Sequence, residues 1–244
     1  MRVLAGGPTR GEVPHQQACH DALLGQIGPV EIDVLWVLDE EPAAGYDVRH
    51  PDHEGHSWSV QAMHRVGWLR QQLVERAELE GYDAVWLVDD DLVCAPDTLA
   101  RLLRVDVPVV YGIFWTPSID GSGVEMPQCW DVHHPYQASQ EALDAWRRGW
   151  AVEVVGGGAC TLLRREAWPT YRWWPPMPGL PHHELWQGED RAACIRACAA
   201  IPPLRQVALG GLDITHLYRA QQREPEAVEA AVSAMRDRWV SRLG

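Results

Sequence analysis

The chain has 244 residues, 46% hydrophobic and 23% charged, enough for one sizeable α/β domain whose core needs no disulfide or structural metal. A formal net charge of −13 makes the average field repel phosphate polymers and anionic membranes, and no clustered basic arm offsets it. All 21 basic residues are Arg, so a P-loop lysine, a Schiff-base lysine and a lysine general base are excluded.

Met1 to Ala5 runs directly into a strand pattern, and no apolar segment has signal-peptide or membrane-spanning length; a cytoplasmic protein without a membrane span is expected. The six cysteines are scattered among mostly apolar neighbours and form no C-x-x-C pair, the pattern of reduced core thiols.

Taken in chain order, Val3 to Ala5 reads as a short buried strand ending in the turn-forming Gly6-Gly7-Pro8-Thr9-Arg10-Gly11, followed by a helix over Val13 to Leu24. Ile32 to Leu38 is a second apolar run, stopped by Asp39-Glu40-Glu41-Pro42, and Ala43 to Ser57 is a polar loop. From Ser59 to Glu80 the apolar residues Val60, Met63, Val66, Trp68, Leu69, Leu73, Val74 and Ala77 recur with helical period, with Arg and Gln on the opposite face and Gly81 as the stop. Ala84 to Val88 is continuously apolar, as a central strand covered on both faces must be. Pro96 opens a helix to about Arg104, and Val107 to Phe114 forms a fourth strand. Beyond it come a helix over Ser139 to Arg148, a glycine-rich apolar segment over Val152 to Leu163, and an irregular Pro-, Trp- and His-rich loop over Pro169 to Gln187. The pattern ends with a helix over Glu189 to Ala199, a strand at Gln206 to Leu209 and a C-terminal helix over Pro225 to Leu243. Alternating strands and helices predict a mostly parallel sheet flanked by helices, with ligands bound beyond the carboxyl ends of the strands.

Chemistry concentrates where the buried run Ala84 to Val88 meets Asp89-Asp90-Asp91. Three adjacent carboxylates raise one another's pKa, and a hard divalent cation, Mn²⁺ or Mg²⁺, is the simplest way to neutralise them. A plain turn before Pro96 is the competing reading of the same residues. Glu189 and Asp190 fall in the first turn of a helix, where the macrodipole favours carboxylates without any function. The paired histidines His133-His134 and His182-His183, and His53-Glu54-Gly55-His56, lack metal-ligand spacing and are assigned no metal.

Tyr82 to Val93, with the acidic triplet inside it, resembles the strand and DxD motif of GT-A glycosyltransferases, and other segments come in that family's order. Pro8-Thr9-Arg10 resembles its nucleotide-contacting loop, Asp39 the acid that faces base or ribose, and Arg70-Gln71 the Arg-Asn pair upstream of the DxD, with Gln where Asn is usual. Val155 to Arg165, containing Gly156-Gly157-Gly158, resembles the segment that lets the donor sugar approach the backbone. Gly188-Glu189-Asp190 resembles the acceptor-side Glu-Asp motif, and His216 stands where the family often supplies a further metal ligand.

The resemblance implies a single GT-A (Rossmann-like) domain over 1–244. Residues 1–114 would form its nucleotide-binding half, 115–223 its acceptor-side half and 224–244 a C-terminal helix. It implies that Asp91, Asp89 and His216 hold Mn²⁺ or Mg²⁺, with Asp90 the least direct of the triplet. Pro8, Thr9, Arg10, Asp39, Arg70, Asp89, Asp90, Gly157 and Gly158 would meet a nucleoside diphosphate sugar, with UDP or GDP as carrier. Asp190, with Glu189, would remove the proton from a hydroxyl acceptor, with inversion. Tryptophans near the cleft, Trp115 and Trp186 foremost among Trp130, Trp173 and Trp174, are candidates to stack on sugar. Nucleotidyl transfer to a sugar phosphate and a catalytically silent carbohydrate-binding domain are the alternatives. The acceptor class stays open, and a hydroxylated base in DNA is among the candidates although the net charge argues against a nucleic acid partner.

Overall fold

A computed structural model describes residues 1–11, 14–40, 60–117, 125–131, 138–177, 189–217 and 224–243. The first half of the chain gives β1 (Arg2–Thr9), α1 (Pro14–Leu24), β2 (Glu31–Leu38), α2 (Val60–Glu80), β3 (Ala84–Val88), β4 (Leu92–Cys94), α3 (Thr98–Leu103) and β5 (Val109–Gly112). The second gives β6 (Trp115–Pro117), β7 (Glu125–Pro127), β8 (Cys129–Asp131), α4 (Gln140–Arg147), β9 (Ala151–Gly157), β10 (Cys160–Arg164), α5 (Asp190–Ala199), β11 (Gln206–Leu209), β12 (Ile214–His216) and α6 (Pro225–Leu243).

The central sheet has 8 strands in the order β2-β1-β3-β10-β5-β11-β9-β8. β2, β1, β3, β5, β11 and β8 run one way, while β10 and β9 run against them. The expected α/β fold, a mostly parallel sheet flanked by helices, is therefore what forms. β10 is the departure: it inserts antiparallel between β3 and β5, so residues from beyond position 115 lie inside the sheet of the first half.

β3 explains why its sequence is apolar throughout. Val85 and Leu87 face a core built with Leu73, Val74 and Ala77 of α2, Trp146 of α4 and Cys194 and Ala197 of α5. Ala84, Trp86 and Val88 face a second core with Leu23 of α1 and Leu99 and Leu102 of α3. α6 lies outside this second layer, packing Val228 and Met235 beside Cys19 of α1.

The helical period of α2 buries Met63, Val66, Leu69, Leu73, Val74 and Ala77 as expected, and Gly81 ends it at φ 75°. Two side chains break the expected amphipathic pattern. Arg70 and Gln71, assigned by pattern to the polar face, are 4% and 2% exposed, whereas Trp68 is 38% exposed. Both turn inward toward partners far along the chain, Arg70 to Asp190 and Gln71 to Trp173.

The short strands β4, β6, β7, β8 and β12 leave no periodic trace in three residues each and were not foreseen. The glycine-rich segment expected over 152–163 is two strands of the central sheet, β9 and β10, which do not pair with each other but lie on either side of β5 and β11, joined through Gly158 and Ala159, whose φ of 57° is left-handed. Among the described residues no helix is long and apolar enough to cross a membrane. All six cysteines are free.

β1 is held closely against both neighbours. A Cβ at Gly7 would overlap the carbonyl oxygen of Val88 on β3. Gly7→Ala should therefore cost at least about 2 kcal/mol of stability, because backbone cannot yield as a side-chain tip can. A urea-unfolding midpoint equal to that of the natural sequence would show that β1 and β3 are not so close.

Candidate functional site

β1, β2 and β3 end on the same edge of the sheet, which brings Thr9, Asp39 and Asp89 to one rim. The Asp39 amide donates to the Thr9 carbonyl at 2.8 Å. Asp89 to Leu92 close a turn, with the Leu92 amide donating to the Asp89 carbonyl at 3.1 Å. The acidic triplet is thus a turn as well as a charge cluster, and the two sequence readings are compatible. The Asp89 amide itself donates to the carbonyl of left-handed Ala159 at 3.0 Å, tying the triplet to the connection between β9 and β10.

One buried guanidinium organises the acidic side chains on this rim. Arg70 reaches from α2 to Asp89, with Nη2 donating to Oδ1 at 2.5 Å. Its Nη1 lies 3.1 Å from Oε1 of Glu189 and hydrogen-bonds Oδ1 of Asp190, both at the start of α5. Oδ1 of Asp190 accepts a second bond, at 2.9 Å, from the indole Nε1–H of Trp173. Gln71, the neighbour of Arg70, accepts at Oε1 from the Trp173 amide at 3.2 Å, so the tandem Arg70-Gln71 holds both Asp190 and the segment that secures it.

The cluster sets three carboxyl groups against one guanidinium. Burial alone would lower the Arg70 pKa, yet attraction to Asp190, Asp89 and Glu189 outweighs it and holds the guanidinium protonated, well above its usual range. Loss of solvent pushes Asp89 well above the ordinary carboxylate range against the pull of Arg70, and Asp91, Asp190 and Glu189 add to the push. Burial likewise raises Glu189 to about 7, with Arg70 opposing and Asp190 adding.

A second group stands on the other side of the triplet. β12 pairs antiparallel with β4, setting His216 opposite Leu92, and the Leu217 amide donates to the Asp91 carbonyl at 2.8 Å. His216 Nε2 lies 3.4 Å from Oδ2 of Asp91, Nδ1 is 2.9 Å from Thr116 Oγ1, and the edge of Phe114 packs on the ring at 5.1 Å. Among the described residues no three His, Cys, Asp or Glu side chains converge as a ready-made metal cage. Asp91 and His216 are instead a pair whose separation suits two neighbouring ligands of one ion, roughly 3 Å apart around a cation with bonds of about 2.1 Å.

No protein-family model matches this chain, and no curated protein matches it. Among solved structures it is similar to A197 from STIV, at a TM-score of 0.52 and 18% identity, over 88% of this chain and 85% of that one. At that identity the likeness concerns the fold alone.

Several expected site residues take places that the sequence does not reveal. The Arg70 fork is engaged by carboxylates, which replaces the expected diphosphate contact with an internal one. Asp39 lies at the rim, but its Oδ1 accepts from Nε of Arg65 at 2.9 Å. Asp89 turns to Arg70, while Asp91 faces His216. Asp90 and Pro8 are half-buried beside these groups, and Arg10 is exposed just past β1.

The three glycines are required by packing inside the protein rather than by room for a sugar. A Cβ on Gly156 would stand 2.7 Å from Sγ of Cys194, one on Gly157 2.8 Å from the Tyr111 ring, and one on Gly158 would overlap Oδ2 of Asp190. Gly157 and Gly158 border the site because α5 presses on the end of β9 there.

Of the tryptophans, Trp115 has the Arg147 guanidinium over its ring at 5.1 Å, Trp130 packs at the core edge, and Trp174 is 39% exposed. Trp173 is buried and holds Asp190, so it is no stacking platform. Trp186 and the three histidine clusters lie outside the described residues. The grip of Trp173 on Asp190 was missed in the sequence, where only a Trp-rich loop preceding an acidic helix start hinted at it.

Because Glu189 keeps its proton in the fold up to about pH 7 but sheds it near 4.5 when unfolded, the native state binds more protons between those values. Stability should therefore fall as pH rises through that window, by up to about 1.4 kcal/mol per unit from this group. Glu189→Gln, permanently neutral, should flatten that part of the profile in chelator-treated protein; an unaltered slope in urea titrations would put the effect elsewhere. Arg70→Met should cost about 3–5 kcal/mol, since it strands buried carboxylates without their cation.

Proposed function

We propose that this chain is a metal-dependent glycosyltransferase of the GT-A type, moving a sugar from a nucleoside diphosphate donor, UDP or GDP, to a hydroxyl acceptor. The observation that carries the reading is the Arg70 fork. It joins the acidic turn after β3 to Glu189 and Asp190, about 100 residues further on, at the carboxyl edge of a Rossmann-like sheet where such folds bind nucleotides. A structural ion pair needs one carboxylate. Three around one guanidinium, with Asp90 and Asp91 adjacent, leave negative charge that a cation with its ligand would relieve.

Asp91 and His216 are the residues that would hold Mn²⁺ or Mg²⁺, which commonly takes only one or two protein ligands and completes its shell with water and substrate phosphates. With Thr116 Oγ1 on Nδ1, Nε2 is the ring nitrogen that faces Asp91, the orientation a ligand imidazole needs. When bound, the ion would neutralise charge on the departing nucleoside diphosphate.

The remaining work falls to the chain itself. Asp190, paired with Arg70 and partly exposed at the start of α5, accepts the proton of the acceptor hydroxyl as the hydroxyl oxygen attacks the anomeric carbon, giving inversion. Asp39 and Thr9, at the ends of β2 and β1, border the region for base and ribose.

A thermal-shift panel of UDP- and GDP-sugars with and without Mn²⁺ tests the donor. One donor should raise the melting temperature only with the metal, and Asp91→Asn and His216→Ala should both abolish that rise. Asp190→Asn should keep the shift but lose about 10²-fold or more in turnover. Pyrophosphate release from a nucleoside triphosphate and a sugar phosphate would instead support nucleotidyl transfer.

A further inference from the structure

The two oxygens of Asp190 stand in different surroundings. Oδ1 is bound twice, by Nη1 of Arg70 and by the indole N–H of Trp173 at 2.9 Å. Oδ2 points to the backbone of Gly158, so closely that a Cβ there would overlap it. The Asp190 side chain as a whole is 14% exposed, while Trp173 is buried, packed edge-on against the Tyr171 ring at 4.9 Å and tied through its amide to Gln71.

A carboxylate at the first position of a helix can swing about χ1 and χ2 unless something fixes it. Glu189, the preceding residue, makes no capping bond with its side chain, so the helix end itself does not hold this region. An oxygen that already accepts from a guanidinium and an indole has little remaining basicity toward a hydroxyl, whereas its partner keeps its lone pairs.

We propose that Trp173 is a positioning residue for proton removal: with Arg70 it pins Oδ1 of Asp190, so that Oδ2, the oxygen lying over Gly158, is the one that takes the acceptor proton. This rests on the glycosyltransferase reading for its chemistry, but the grip of Trp173 on Asp190 can be tested without it.

The decisive comparison uses two replacements at one position. Trp173→Phe removes the N–H and trims the ring; Trp173→3-benzothienylalanine, introduced site-specifically, keeps the indole shape with sulfur in place of N–H. Both should lower kcat about 10- to 100-fold while the KM for donor and the Mn²⁺ affinity stay within about 2-fold, since the N–H orients the base and touches neither. A benzothienyl variant with the kcat of the natural protein overturns the proposal and assigns Trp173 to packing alone. So does a loss shared equally by kcat and donor affinity, or one explained by a lower folded fraction in a melting curve.

The second arm needs no activity. In ¹⁵N-tryptophan-labelled protein the Trp173 indole proton should resonate downfield and exchange slowly, and Asp190→Ala should move that signal upfield while leaving the other indole signals in place. An unmoved signal refutes the bond. If the natural protein transfers no sugar from any donor, the functional reading fails, and with it the assignment of Oδ2 as proton acceptor, while the spectrum still decides whether Trp173 holds Asp190.

Discussion

A guanidinium enclosed by protein must be matched by negative charge, and the way Arg70 meets this requirement sets the arrangement of everything around it. Its partners come from the turn after β3 and from the start of α5, so α2 cannot slide or rotate without breaking contacts with both. Removing any one carboxylate leaves others in place, whereas removing Arg70 leaves three clustered carboxyl groups without their shared cation. That asymmetry makes the cation the keystone and explains why α2, otherwise an ordinary amphipathic helix, turns an Arg and a Gln inward.

The glycine segment at the end of β9 serves the same end from the opposite side. Gly156 and Gly157 let Cys194 of α5 and the ring of Tyr111 approach the backbone of β9, and Gly158 admits the Asp190 carboxylate. Beneath them Tyr111 donates to Gln206 Oε1 at 2.5 Å and shares a 2.8 Å bond with Tyr171, which in turn packs on Trp173. This buried polar chain satisfies its members while fixing the depth of α5. Fold and site are thus held by the same contacts, and the carboxylates are held from below by packing and from the side by charge.

How much of this was legible in the sequence depends on the range of each interaction. β3 and its acidic turn were legible because burial on both faces writes an uninterrupted apolar run, and charge at its end is conspicuous. The span of α2 was legible from its 3.6-residue period. The direction of Arg70 was not, because periodicity assigns every Arg to solvent and its partner Asp190 lies 120 residues away. His216 owes its place beside Asp91 to the pairing of two three-residue strands, too short to leave a pattern. The glycines were conspicuous, but their neighbours were not, and so packing was mistaken for access. The bond from Trp173 to Asp190 depends on a loop path that no propensity encodes.

The position of β10 bears on how the protein comes into being on the ribosome. Since this strand occupies the space between β3 and β5, an emerging chain has two facing unsatisfied edges until residue 164 has left the exit tunnel. Until then the amide of Asp89 also lacks the Ala159 carbonyl that receives it. Residues 1–114 are accordingly no autonomous folding unit, and nascent chains of that length are clients for chaperones rather than half-built domains. A gene split or circular permutation that respects this architecture keeps 84–164 in one piece.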